Sequence, residues 1–140
     1  MVHALSEIHR VLVPGGVMID LRPRLDRWPV EVSWLGGYRE AGRVTDLKEP
    51  LADDAAADAA MIEADSGIGF EREREAAFSF FYYWDTPKEM EAYIAENWDD
   101  VVGVDGDVWS TLGSAWASAG PDARVRMHLK LLIARHRKPH

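Results

Sequence analysis

Three arginines and a tryptophan near the start of the chain are the first candidates for chemistry. They lie in the stretch Arg22-Pro23-Arg24-Leu25-Asp26-Arg27-Trp28-Pro29. Two prolines disfavour regular structure, so we expect an irregular loop. Guanidinium groups bind carboxylates and phosphates through paired hydrogen bonds. We therefore predict that Arg22, Arg24 and Trp28 bind substrate, with a solvated loop as the alternative, and that Trp28 matters little to stability.

Aromatic side chains in the second half of the chain are the next candidates. A flat organic molecule could bind among them, and Tyr83 is the residue that we assign to such a site. Packing in the protein core is the alternative reading of the same residues. The group comprises Phe78, Phe80, Tyr82, Tyr83, Trp84, Trp98, Trp109 and Trp116.

No other pattern in the sequence predicts a reaction centre. The five histidines show no metal-binding spacing, and His128 lies among cationic residues. Asp53, Asp54 and Asp58 are expected on a solvated helix face. The basic run at 135–138 is expected to be solvated. We predict no metal site and name no catalytic residue.

The composition favours a single domain over residues 1–140. The chain has 47% hydrophobic residues and a net charge of −8. An acidic balance argues against nucleic acid and anionic membranes as partners. The chain has no cysteine and therefore no disulfide. Because no apolar run is long enough to cross a bilayer, we expect a soluble, cytoplasmic protein.

The stretch from Ala4 to Asp20 is the best-defined pattern in the chain. Leu5, Ile8 and Leu12 of this stretch, with Val2 just before it, recur at helical spacing and predict one buried helix face. Pro14 ends that helix, and the glycines that follow allow a sharp turn. The residues 17–21 then read as a short buried strand.

This stretch resembles the late part of class I S-adenosylmethionine-dependent methyltransferases. In that family a helix ending in a Pro-Gly-Gly turn leads into the fifth strand of the sheet. The matching residues are Glu7, Ile8, Arg10, Val11, Leu12, Pro14, Gly15 and Gly16. The motif is a packing motif, so Glu7, Arg10, Pro14, Gly15 and Gly16 are assigned a structural role.

The remaining elements follow from periodicity and from turn and cap residues. We predict that the strand 70–84 is buried in its second half and that Trp98 and Trp116 anchor the helices. Gly67 is expected to end the helix before that strand. The predicted order is strand 30–34, a hairpin turn at 36–37, helix 49–65, strand 70–84, helices from 86 and 107, and strand 124–136.

The resemblance implies an α/β fold, or α+β for an isolated fragment, with a partial Rossmann-like sheet. Strands 17–21, 70–84 and 124–136 would be its last three, the final one inserted antiparallel between the other two. Residues 28–47 and 86–120 would be elaborations. The glycine-rich loop and the ribose-binding acid of the family cannot be placed, because Gly67-Ile68-Gly69 precedes a strand. We therefore expect that this chain alone binds no S-adenosylmethionine.

These expectations lead to a substrate-side, C-terminal part of a methyltransferase that is inactive alone. Its partners would be a second copy or a complementary N-terminal half, and its ligand a small organic methyl acceptor. The strand 17–21 would expose an edge unless the hairpin at 30–47 covers it. The alternative is a non-enzymatic α+β small-molecule-binding or dimerisation module. A third reading is an unrelated α+β pocket protein.

Overall fold

The protein has an α+β fold of four α-helices and seven strands in antiparallel sheets, which confirms the predicted fold class. The structure is a computed structural model that describes residues 1–140. No helix is both long enough and apolar enough to span a bilayer. The elements are α1 (Val2–Val11), β1 (Val17–Arg24), β2 (Pro29–Trp34), β3 (Gly37–Arg43), β4 (Thr45–Asp46), α2 (Lys48–Glu63), β5 (Glu71–Trp84), α3 (Pro87–Asn97), β6 (Val102–Gly103), α4 (Gly106–Ala117) and β7 (Arg124–Arg137).

The long strand β7 organises the main sheet, because three other strands pair with it. The order is β1-β7-β2-β3, and β5 also pairs with β7. The last strand of the chain therefore has both β1 and β5 as neighbours. The predicted hairpin is present as β2 and β3, joined at Trp34↔Gly37. The short strands β4 and β6 form a second sheet.

The chain divides into two compact units, and each of the long strands β5 and β7 contributes to both. The first unit comprises Met1–Arg24, Ala52–Phe78 and Leu131–His140. The second unit comprises Leu25–Leu51 and Ser79–Lys130. The prediction of a single domain over 1–140 stays a prediction.

The first unit has a small core. Buried Leu5 of α1 packs with Ala60, Met61, Ala64 and Phe70. The predicted apolar face of α1 was wrong at Val2 and Ile8, which are exposed. Because α2 presents mostly alanine methyl groups on this side, it buries little apolar area per residue.

The end of α2 differs from the prediction. The helix continues as one π-helical turn over Ala64–Ile68 and passes through Gly67, where we expected it to stop. Gly69 follows with φ 98°, and its N–H donates to the carbonyl of Ala64. The left-handed residue that ends the helix is therefore Gly69.

The second unit has a larger core with several aromatic and branched side chains. Trp28 is 3% exposed and meets Trp98 edge to face, with 5.8 Å between ring centroids. The alternative in which Trp28 lies in a solvated loop was therefore wrong, and its binding of substrate stays a prediction. Sequence patterns gave no sign of this burial, since prolines and arginines surround Trp28. The other fully buried side chains include Val30, Met90, Leu112, Val125 and Met127.

The helix α3 begins as its sequence predicts. The Thr86 hydroxyl accepts a hydrogen bond from the Glu89 N–H at 3.2 Å, and Pro87 is the first helical residue. The Glu89 carboxylate accepts from the N–H of Asp85 at 2.9 Å. These two bonds satisfy backbone donors that a helix start otherwise leaves open.

The strand β5 is more exposed than we predicted. Its second half was expected to be buried, yet Phe78 is 43% and Phe80 is 42% exposed. Of its fourteen residues only Trp84 is fully buried. β5 pairs with β7 alone and is an edge strand, but the exposure of its side chains depends on what covers the faces of the sheet. Alternation in a sequence shows which residues share a face but not whether another layer covers that face.

The alternation of buried and exposed side chains along β7 changes between its two ends. In the second unit the odd-numbered residues Val125 and Met127 are buried, whereas in the first unit Ala134 and His136 are buried. Alternation in the sequence predicts one apolar face comprising Val125, Met127, Leu129, Leu131 and Ile133, and this prediction was wrong beyond Leu129. Because neighbouring residues of a strand point to opposite faces, the buried face of β7 differs between its two ends.

The basic end of the chain is bonded to protein groups and is not the solvated tail that we predicted. His136 is 1% exposed, and its Nδ1 lies 2.7 Å from Oδ1 of Asp65. Lys138 Nζ donates to the carbonyl oxygens of His9 at 2.7 Å and Leu12 at 2.9 Å. A cation at these last carbonyls of α1 complements the helix dipole.

Candidate functional site

In the first unit, the arginines Arg22 and Arg24 contact carboxylates of the protein itself. Arg22 Nε lies 2.9 Å from Asp20 Oδ2, and its terminal nitrogen lies 3.2 Å from Asp58 Oδ1. Arg24 contacts both oxygens of Asp58 at 2.7 and 2.8 Å. Asp58 is therefore not merely a solvated helix residue. The carboxylate that both arginines contact is that of Asp58 in α2. Binding of substrate by Arg22 and Arg24 stays a prediction.

In the second unit, Trp28 lines a cavity of about 400 Å³. Its polar wall includes Glu31 from β2, Ser79 from β5, and His128 and Lys130 from β7. Tyr38 and Glu40 of β3 lie on the same wall. Side chains from four strands thus face one cavity, which falls within the size range of small-molecule sites.

Tyr83 lies outside the wall of this cavity. It is 42% exposed, and its hydroxyl is 3.5 Å from a terminal nitrogen of Arg126. The guanidinium of Arg124 lies 5.3 Å from the centre of its ring. Tyr83 therefore contacts two arginines of β7, and a role toward a substrate stays a prediction.

A buried ion pair supports the floor of the site. Glu31 is only 3% exposed, and its Oε2 accepts from Nε of Arg126 at 2.5 Å. The two residues are direct partners in the β2–β7 ladder. Burial acts to lower the pKa of Arg126, but hydrogen bonds to Tyr83 and Glu31 outweigh it and raise this pKa above its ordinary value. The hydrogen bond to Arg126 fixes the position of the Glu31 carboxylate.

Two aromatic rings hold the guanidinium of Arg126. Its central carbon lies 4.7 Å from the ring centre of Tyr38 and 4.5 Å from that of Phe81. A cation over an aromatic face is attracted by the ring quadrupole. Together with Glu31, these rings fix the position of the arginine.

A serine and a histidine are hydrogen-bonded beside this ion pair. Ser79 Oγ and His128 Nε2 are 2.7 Å apart. On the other side of the ring, Nδ1 of His128 lies 4.0 Å from Oε1 of Glu31. Phe81 stacks on the imidazole, with 4.5 Å between the centroids. A hydroxyl, an imidazole and a carboxylate in this order can move a proton from the hydroxyl to the ring.

Comparisons with protein-family models, curated proteins and solved structures found no match. No group of three or more histidine, aspartate or glutamate side chains is arranged to hold a metal ion.

Sequence reasoning missed Glu31, Ser79 and His128 as parts of one site. A glutamate inside the apolar strand 30–34 was the available signal, because a charged residue in a buried strand needs a partner. Its partner Arg126 is 95 residues away, and Ser79 is 49 residues from His128. A single sequence contains no local signal for which distant strands pair.

Proposed function

We propose that this chain is the substrate-side part of a class I S-adenosylmethionine-dependent methyltransferase domain, inactive without the cofactor-binding segments. The observation that carries the proposal is the neighbour order β1–β7–β5, together with the Pro-Gly-Gly turn that precedes β1. In the family that the motif resembles, the last strand has the same two neighbours.

The contacts of the Pro-Gly-Gly turn support the structural role that we assign to the motif. Gly15 has φ 77°, which favours glycine at this position. Its N–H donates to the carbonyl oxygen of Lys138 at 2.8 Å, and the N–H of Lys138 donates to the carbonyl oxygen of Gly16 at 2.9 Å. The turn is thereby joined to the residues that follow β7. Glu7 and Arg10 form an exposed ion pair on α1 at 2.9 Å.

The free edge of β1 supports a need for a partner. β1 pairs with β7 alone, and the hairpin of β2 and β3 pairs with β7 instead of covering β1. The alternative in which the hairpin covers this edge was therefore wrong. Ile19 and Leu21 are 54% and 56% exposed. An open edge with exposed apolar side chains favours pairing with another strand, from a second copy or from a complementary half.

The methyl acceptor that we propose is a small organic molecule bound in the cavity of the second unit. Trp28 and Tyr38 offer aromatic surface there, and Ser79 and His128 offer hydrogen-bonding groups. Most of the lining residues are polar or charged, so we expect an acceptor that carries hydrogen-bonding groups beside a flat ring.

Calorimetric titration of the chain with S-adenosylmethionine tests the proposal, with a complete class I methyltransferase as positive control. We expect no binding tighter than a Kd of about 100 μM, roughly −5.5 kcal/mol. The reason is that no segment of this chain offers the glycine-rich loop or the ribose-binding acid. Tighter binding would show that the chain forms a cofactor site and would overturn the proposal.

The second candidate function is a non-enzymatic α+β module that binds a small molecule or dimerises. The cavity and the open edge of β1 favour it as much as they favour a methyltransferase part. The nucleotide sequence upstream of the coding region separates the two. A frame encoding a strand, a glycine-rich turn and a helix supports the methyltransferase part, and its absence supports the module.

A further inference from the structure

The serine, histidine and glutamate beside the cavity have the order of a nucleophile, a base and an orienting acid. Ser79 comes from β5, His128 from β7 and Glu31 from β2, and all three line the same cavity. The 2.7 Å contact lets the Ser79 hydroxyl donate to Nε2 when the ring proton is on Nδ1. Glu31 Oε1 lies 4.0 Å from that Nδ1, beyond hydrogen-bond distance, so the carboxylate acts on the ring through its charge.

We propose that Ser79, His128 and Glu31 form an acyl-transfer site that cleaves small, uncharged carboxylic esters. Ser79 and His128 are the catalytic residues, and Glu31 is a positioning residue that acts through His128. The activity requires neither S-adenosylmethionine nor a partner half, so its failure leaves the proposed function untouched.

The reaction has two balanced steps. Ser79 Oγ attacks the ester carbonyl carbon while His128 Nε2 takes the hydroxyl proton. The bond from that carbon to the alcohol oxygen then breaks, and Nε2 returns the proton to the departing alcohol. A water molecule next attacks the acyl-serine with His128 again as base, which releases the carboxylic acid and restores Ser79.

The rest of the cavity wall defines the substrate class. Lys130 is a cation on this wall that can offset the negative charge of the tetrahedral intermediate. Among the charged side chains of this wall, Glu40 is paired with Arg43 at 3.0 Å and Glu31 is paired with Arg126, so the remaining charges of Asp26 and Lys130 cancel. A wall without net charge favours uncharged esters over ions. A volume of about 400 Å³ admits an aryl ester of a short acid.

Incubation with 4-nitrophenyl acetate tests the site, with release of 4-nitrophenolate followed by absorbance and the acetyl group located by tandem mass spectrometry. We expect a burst and one acetyl group on Ser79. Ser79→Ala should abolish the adduct and slow release about 100-fold or more, the contribution typical of a positioned base and nucleophile. Ser114→Ala, at an exposed serine of α4, is the matched control and should react like the native chain.

Two further variants test the roles of the other residues. His128→Gln should remove the burst, because the hydroxyl loses its base. Glu31→Gln should lower the rate of acylation without raising KM, because it removes the negative charge 4.0 Å from the ring that takes up the proton and does not alter the binding of ester. Circular dichroism checks that each variant is folded. An unchanged burst in Ser79→Ala, or acetylation confined to other residues, would overturn the proposal.

Discussion

The two units of this protein are stabilised by different means. The core of the second unit contains Trp28, Met90, Leu112 and Met127, all nearly or fully buried. The core of the first unit has five buried residues, two of which are alanines. The first unit also has half-exposed ion pairs between its elements, such as those of Asp58 and Glu73.

The difference shows how composition decides what stabilises a region. Large apolar side chains contribute through area removed from water, at about 25 cal/mol per Å². Alanine-rich α2 offers little such area, so polar contacts hold it against β1. Half-exposed ion pairs contribute only about 0–1 kcal/mol each and weaken with salt. We therefore expect the first unit to be the more sensitive to pH and salt, and the second to cavity-forming mutations.

Trp28→Ala should produce the largest loss of stability among these tests. Truncation of a buried tryptophan typically costs about 3–5 kcal/mol through lost transfer energy and a cavity. Trp116→Ala should cost less, because Trp116 is only partly buried at the edge of the same core. Urea unfolding of both variants measures the difference. Equal shifts in the two urea midpoints would contradict the claim that Trp28 stabilises the core more than Trp116.

Asp58→Asn should have a smaller effect, about 1 kcal/mol or less, because both partners of the pair with Arg24 are more than one-third exposed. The substitution weakens contacts to Arg22 and Arg24 at once. Asp53→Asn, on the same helix and exposed, is the control and should leave the urea midpoint unchanged. If added salt reduced the stability of the native chain but not that of Asp58→Asn, the ion pairs would be confirmed as the cause. Equal midpoints for the two variants would show that Asp58 stabilises nothing.

Glu73→Gln should have the smallest effect, and one that depends on pH. A hydrogen bond from Arg137, with Arg135 2.8 Å away, lowers the pKa of Glu73 below its ordinary value of 4.5. Its contribution is therefore present above pH 4.5 and is lost as the pH falls through the lower folded pKa. Urea unfolding of the native chain and of Glu73→Gln should give different midpoints at neutral pH and equal midpoints at acidic pH. An equal difference between the midpoints at both pH values would argue against this ion pair. Glu91→Gln serves as the control.

The sequence predicted the elements with local signals and missed what depends on distant pairing. Thr86, Pro87 and Glu89 predict the start of α3, and Gly36-Gly37 predicts the hairpin, because caps and turns are decided within a few residues. The exposure of Phe78 and Phe80 depends on which faces of the sheet another layer covers. The burial of Trp28 and the meeting of Ser79 with His128 depend on which strands pair with β7, and no local pattern specifies that.

The open edge of β1 supports both proposed functions. Self-association of the chain through this edge is the most direct test. Sedimentation equilibrium at about 100 μM chain should show a dimer. A Kd of about 100 μM corresponds to roughly −5.5 kcal/mol. Ile19→Lys with Leu21→Lys should give a monomer, because charged residues at an open edge prevent pairing. Leu35→Lys, at a 98% exposed leucine of the hairpin turn, should still dimerise. A native chain that is a monodisperse monomer at this concentration would contradict a β1 edge that pairs with a second copy.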